Sequence, residues 1–352
     1  NSTTNTSFSP SSNSSSNTSF SSSSTPLSNI PSVSMPTLSS SSSTPNTSAA
    51  ASSSSTTNLA TNNHCFPTTL DSCKFDFGYR LHRDIVTDMH LSKNGQTLYS
   101  VSQDSSLKIY SLVKKCQLRS IKLSDLALSS CSVGDKVVFA GSWDNNIYTY
   151  SVDYGRVLDV LPAHDDAVSS ICLNGENLLS GSWDSTVKLW QIRPSGLHKV
   201  PLIDFIENQE EVKSVAIDAQ NHIAVTGSEE GTIILFDLRS KKSIRTIQPH
   251  IDSVSQVSFS GDSRKVFSCS LDGHIKATEV SGAETLSVDT AEELNCFVCD
   301  DRTMLVGGHK GKVRAFDVMA GEEKTGKIFT KQHQDPIYSI ASAAHGVVTG
   351  SK

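Results

Sequence analysis

A histidine, two serines and an aspartate fall within one short stretch of this chain: His164, Ser180 or Ser182, and Asp184. These are the residue types of an acyl-transfer triad, in which an imidazole takes the proton of an attacking hydroxyl and a carboxylate orients the ring. No G-x-S-x-G nucleophile turn accompanies them. Cys296 and Cys299 form a lone C-x-x-C. Zinc would need a second pair or two histidines at ligand spacing, and on a strand these two side chains would point to opposite faces. Neither a metal nor a cofactor is expected. Trp143 and Trp183 are the third candidate. Each immediately precedes an aspartate, Asp144 or Asp184, and exposed tryptophan is a favoured anchor for protein partners.

The elements that would position these residues repeat. VFAGSWDNNIYTY at residues 138–150 recurs as LLSGSWDSTVKLW at 178–190. The closing aromatic stands at Tyr110, Tyr150, Trp190, Phe236 and Phe316, with Thr278 in the intervening copy, at a period of about forty residues. An acid precedes each of the first five: Asp104, Asp144, Asp184, Glu230 and Asp272; Lys310 takes that place before Phe316. A His-x-Asp opens four of the units, at His82, His164, His250 and His333. Short alternating runs such as AVSSICL, bounded by Gly, Asn and Asp, predict half-buried strands. A repeat of this length with about four short strands is a propeller blade.

On these motifs the chain resembles the WD40 family over residues 75–352. The resemblance implies an all-β, seven-bladed propeller with six complete repeats and a seventh truncated at VVTGSK. It also implies a structural use for the triad residues. In such blades a His, a Ser or Thr, an Asp and a Trp bond to one another, which makes His82, Asp104, Asp144, His164, Asp184, Trp190, His250 and Asp272 internal brackets. The residue before each turn acid would lie on the narrower top face, where partners dock: Gln103, Trp143, Trp183, Glu229, Leu271 and His309, with Asp165 nearby. The second, fourth and sixth units lack the His and are expected to be less rigid. Residues 74–81, KFDFGYRL, are placed to supply the outermost strand of the last blade, and the sequence reads as truncated at both ends.

Composition bounds the rest. No Asp, Glu, Lys or Arg occurs before Asp71, and a Ser/Thr/Asn tract with few large apolar groups cannot offset its chain entropy. Residues 1–74 are therefore expected to be a disordered polar linker. Their Asn-x-Ser/Thr triplets are what such a composition makes by chance. No apolar run approaches a membrane span. Eight cysteines without framework spacing suit a reducing, cytoplasmic setting. A net charge of −6 argues against nucleic acid as the main partner.

SQDSSLKIYS, SDLALSSC, SWDNNIYTYSVDYGR, AHDDAVSSIC and SGSWDSTVKLW, in that order, are similar to the C-terminal propeller of the BEACH–WD family, the factors associated with neutral sphingomyelinase activation. That resemblance implies a non-enzymatic adaptor whose propeller docks the cytoplasmic segment of a tumour-necrosis-factor-type receptor and couples it to sphingomyelinase, peripherally at the membrane. Two other readings stay open. One is a BEACH-type scaffold in vesicle and lysosome traffic; the other is a hydrolase using His164.

Overall fold

The alternating runs fold as strands. The computed structural model describes residues 78–352 apart from 194–195, 221, 301, 325–332 and 344–345, and among the described residues there is no helix. The linker expected at residues 1–74 lies outside them. Four antiparallel strands in sequential order make the first sheet, β1 Val86–Leu91, β2 Thr97–Ser102, β3 Ser106–Ser111 and β4 Cys116–Lys122. The second repeats it with β5 Leu128–Val133, β6 Val137–Ser142, β7 Asn146–Ser151 and β8 Arg156–Pro162. The third contains β9 Val168–Asn174, β10 Asn177–Ser182 and β11 Val187–Arg193, and its outer edge is covered by two short pieces, β12 Gly196–Leu197 and β13 Ile203–Phe205. The fourth is β14 Val212–Ile217, β15 Ile223–Ser228, β16 Ile233–Asp237 and β17 Lys242–Ile247; the fifth is β18 Val254–Phe259, β19 Lys265–Ser270, β20 His274–Glu279 and β21 Glu284–Asp289. The sixth has three strands, β22 Leu294–Cys299, β23 Thr303–Gly308 and β24 Val313–Asp317, and a hairpin of β25 Ser339–Ala343 and β26 Gly346–Gly350 follows.

Burial grades across each sheet. The second strand is enclosed on both faces, and the outer strands β4, β17 and β21 are mostly exposed. The apolar core is divided among the seams between neighbouring sheets. Leu179, Val187 and Leu189 of the third sheet pack on Val212, Val215 and Phe236 of the fourth. Small residues on the second strands let the next sheet approach closely. A Cβ on Gly181 would lie 2.6 Å from a methyl of Val215, and one on Gly227 2.6 Å from a methyl of Val254. Gly350 of the hairpin meets Val86 of β1 in the same manner. Ala341 and Val348 pack there with Met89, Leu98 and Tyr110. The structure is thus a β-propeller, with six sheets and a hairpin that closes onto the first.

One expectation is corrected. Gly78 to Leu81, the described part of the stretch expected to supply an outermost strand, forms no strand. Leu81 packs into the seam between β1 and the hairpin, its carbonyl accepts a bond from the Lys108 ammonium, and Tyr79 lies against the Tyr110 ring at 5.5 Å. A fourth strand needs a third to pair with, and among the described residues β26 pairs only with β25.

Candidate protein-docking face

In the third sheet all the triad residue types meet. With Nδ1 protonated, His164 donates to Asp184 Oδ2 at 3.0 Å, and Ser180 Oγ donates to His164 Nε2 at 2.8 Å. Trp190 Nε1 donates to the same Ser180 oxygen at 2.8 Å. Asp184 also accepts from Asp165 N at 2.9 Å, Thr186 N at 2.9 Å and Thr186 Oγ1 at 2.6 Å. Ser182 instead bonds the Asp166 carbonyl and the Asp184 N–H. The geometry is that of a relay, but Ser180 is 0% exposed, so no substrate reaches its oxygen. The same arrangement recurs as His82–Ser100–Asp104 and His250–Ser268–Asp272. Its chemistry is that of buried polar groups satisfying one another.

The units without His are locked by other residues. Asp144 accepts from the hydroxyls of Ser124 at 2.8 Å and Tyr148 at 2.6 Å. Burial and the bond to Asp144 push the Tyr148 hydroxyl up to about 12, so it remains a donor. In the fourth unit Thr226 donates to Asn208 and Ser228 to Glu210, while the turn acid Glu230 is exposed and takes no part. In the sixth, Arg314 forms a two-pronged bond with Glu323 at 2.7 and 2.9 Å and donates to the Thr290 carbonyl. The units expected to be less rigid thus hold bonds that no His-Asp pattern reveals.

The brackets predict acid lability. Burial pushes the Asp104 carboxyl up, but bonds from Ser106, Arg83 N–H and His82 outweigh it and hold the group at about 2. Asp184 and Asp272 are likewise held below the ordinary carboxylate range, against the effect of burial. Burial lowers His82 and His250, and their aspartates offset this only in part. The buried imidazoles are therefore neutral, and as pH falls through about 6.5 the unfolded chain takes up protons first, so stability declines. For the carboxylates, stability is fully present above about pH 4 and is lost as pH falls toward about 2. Both slopes have the same sign. The melting temperature should fall between about pH 7 and 5 and again below about pH 4; a flat profile in a fluorimetric melting series would contradict this.

The expected docking residues share one backbone position. Gln103, Trp143, Trp183, Glu229, Leu271 and His309 each donate their N–H to the carbonyl just before the first strand of their own sheet, at 2.9 to 3.1 Å. Trp143 and Trp183 come together, with ring centroids 5.5 Å apart. Trp143 is 38% exposed. Asp165 lies between their turns: its N–H bonds Asp184, and its carbonyl accepts from Asn145 Nδ2 at 2.9 Å. Glu229 is joined to this group through Lys213, whose ammonium lies 4.9 Å from the Trp183 ring centre, 2.9 Å from Glu211 and 3.0 Å from Glu229. Leu271 and His309 stand apart from the tryptophans, lining a shallow depression with Glu292, Glu293 and Lys310. Gln103 stands at the equivalent turn of the first sheet, its N–H bonded to the Ile85 carbonyl.

Lys213 was missed by sequence reading. The first strands of all six sheets carry a bulge at one register position, and a bulge re-aims the side chain it displaces. Thr87, Ser129, Ser169, Ser255 and Asn295 occupy it, and each bonds a carbonyl of the following unit. In the fourth sheet the residue is Lys213. Among these six residues Lys213 is the one that is charged, but the sequence does not give the direction of its side chain.

A second belt runs one residue further on. Asp88, Ser130, Ser170, Ser214 and Gln256 each accept an N–H from the next first strand, and Ser339 of the hairpin donates back to Asp88 at 3.4 Å. The C-x-x-C is divided as expected: Cys296 packs in the seam toward the hairpin and Cys299 in the seam toward the fifth sheet.

Among known proteins, WD repeat-containing protein JIP5 of Cryptococcus neoformans var. neoformans serotype D (strain B-3501A) is 32% identical over 77 residues, which is 21% of this chain and 21% of that protein. The chain thus spans about a fifth of the length of that curated relative. A family described as nucleolar protein 10-like, N-terminal domain, matches residues 62–316. Neither description mentions a receptor, a BEACH domain or sphingomyelin, and neither supports the narrower resemblance drawn from the second and third units. The family match takes in the five complete sheets and nearly all of the sixth, and on it the chain belongs to the nucleolar protein 10-like N-terminal domain family of WD-type β-propellers.

Proposed function

We propose that this propeller is a non-enzymatic scaffold that docks a segment of a partner protein on the end that carries Trp143 and Trp183. The observation that carries this is the exposed indole of Trp143 against the half-buried Trp183, a large apolar contact area held on rigid turns. The seven-bladed ring belongs to the same proposal and is supported by the hairpin, which fills the seam between β22 and β1 as a further blade would.

The test is capture by the full chain from its own cells, compared with the Trp143→Ala/Trp183→Ala variant by quantitative mass spectrometry. Truncating such anchors typically costs about 2 kcal/mol or more each, so specific partners should be depleted at least about tenfold while the melting temperature stays within a few degrees. Equal capture by both proteins removes the site. A receptor cytoplasmic segment as the partner is a finer proposal, resting on the BEACH–WD resemblance alone. A receptor-tail peptide that binds both proteins equally, or neither, would sink it. The family's name offers a nucleolar setting in competition with the cytoplasmic one expected from the cysteines, and imaging of the tagged chain separates the two.

A further inference from the structure

The molecule already contains one complete cation site on the docking face. The Lys213 ammonium lies over the Trp183 ring, and Glu211 and Glu229 complete its shell at 2.9 and 3.0 Å. A cation over an indole gains from the ring's negative face, and carboxylates at its edge add charge-assisted bonds. The fold gives up a regular inter-sheet bond to build it, because Lys213 stands where five other units use Thr, Ser or Asn.

Next to it, Trp143 presents the same parts without the cation. Its ring is 38% exposed and tilted 44° against Trp183. The exposed Asp165 lies between the two tryptophan turns, fixed through both its N–H and its carbonyl. Its carboxylate makes no ion pair among the described residues, and no cation lies over Trp143 among them. Asp166 beside it is exposed as well. Charged side chains at the pair include the exposed Asp165 and Asp166 and, around Lys213, Glu211 and Glu229, so that carboxylates outnumber the one ammonium among these residues.

We infer that Trp143 and Asp165 form a docking site for an arginine side chain of the partner protein, the guanidinium lying on the indole and bonding the carboxylate. This rests on the reading of that end as the docking face. Arginine suits it better than lysine, because a planar guanidinium stacks on an aromatic face and meets a carboxylate with two parallel N–H groups at once. Lys213 keeps Trp183 occupied, so the incoming cation is directed to Trp143.

The test uses the full chain with two synthetic peptides, hexa-arginine and hexa-citrulline, which are nearly equal in shape but differ in charge, a urea oxygen standing in citrulline where arginine has an N–H2 group. Trp143 and Trp183 are two of only three tryptophans, and the third, Trp190, is buried, so tryptophan fluorescence reports on the site. Hexa-arginine should bind at least about tenfold more tightly than hexa-citrulline. Asp165→Asn should weaken hexa-arginine by about three- to tenfold. Asp135→Asn removes the same charge from an exposed turn between β5 and β6 and should leave binding unchanged.

Equal binding of the two peptides, or equal effects of Asp165→Asn and Asp135→Asn, overturns the proposal; the second result would mean that only net charge is being read. If arginine fails here while partner capture still depends on the tryptophans, the partner's chemistry falls and the docking face stands. If neither depends on them, the docking face falls too.

Discussion

Asp184→Ala should lower the stability of the propeller by about 3–5 kcal/mol, as expected when one partner of a buried charged network is removed. The carboxylate accepts four bonds, from His164, Asp165 N and both Thr186 donors, and its side chain is 10% exposed. Alanine leaves those donors turned toward a space with no acceptor, each at a cost of about 1–3 kcal/mol before relaxation. Asp184→Asn keeps the shape and one acceptor and should cost about half as much. Glu230→Ala is the informative comparison. The repeat gives Glu230 the same motif position, yet it is exposed and outside the bracket of its unit, so its removal should stay within about 0.5 kcal/mol. Urea unfolding followed through Trp190 checks all three. Equal losses for Asp184 and Glu230 would mean that the motif position, and not the bonds seen here, sets stability.

Gly181→Val should be comparably damaging for the opposite reason, crowding. A Cβ at this position lies 2.6 Å from Val215 and 2.7 Å from Val212 before any further methyl is added. Both valines are buried on the first strand of the next sheet, so the seam between the third and fourth sheets must open. Overpacking of this kind costs about 1–3 kcal/mol for one added group, which sets Gly181→Ala in that range and Gly181→Val above it. Gly346 in the hairpin meets nothing within 4 Å, and Gly346→Ala should be close to neutral. If Gly181→Val melted like the parent protein, the seams would be looser than the buried Val212 and Val215 imply.

The sequence carried the repeat, because a period of about forty residues survives when single motif positions are lost. It carried the brackets wherever His and Asp are both present, as in His82–Asp104. It also placed Trp143 beside Trp183, since equivalent positions of successive units must be neighbours. It could not carry Lys213, whose direction is set by a bulge formed only when β14 pairs with β15. Arg314 was hidden for a similar reason: it stands on β24 where the third unit has Lys188, and its guanidinium reaches Glu323 with no shared spacing. The described part of the stretch 74–81, Gly78 to Leu81, forms no strand, because strand formation depends on a pairing edge, which local composition does not supply.

The hairpin that meets β1 also bears on the order of folding. Between neighbouring sheets the belt joins residues close in sequence, such as Asp88 and Ser130, 42 apart. At the last seam Ser339 returns to Asp88 across 251 residues. Closing that longer loop costs about 1.6 kcal/mol more in chain entropy. Sheets that each need only a near neighbour can assemble in succession, and the seam between Val86 and Ser351 then forms last, in the slowest phase of refolding.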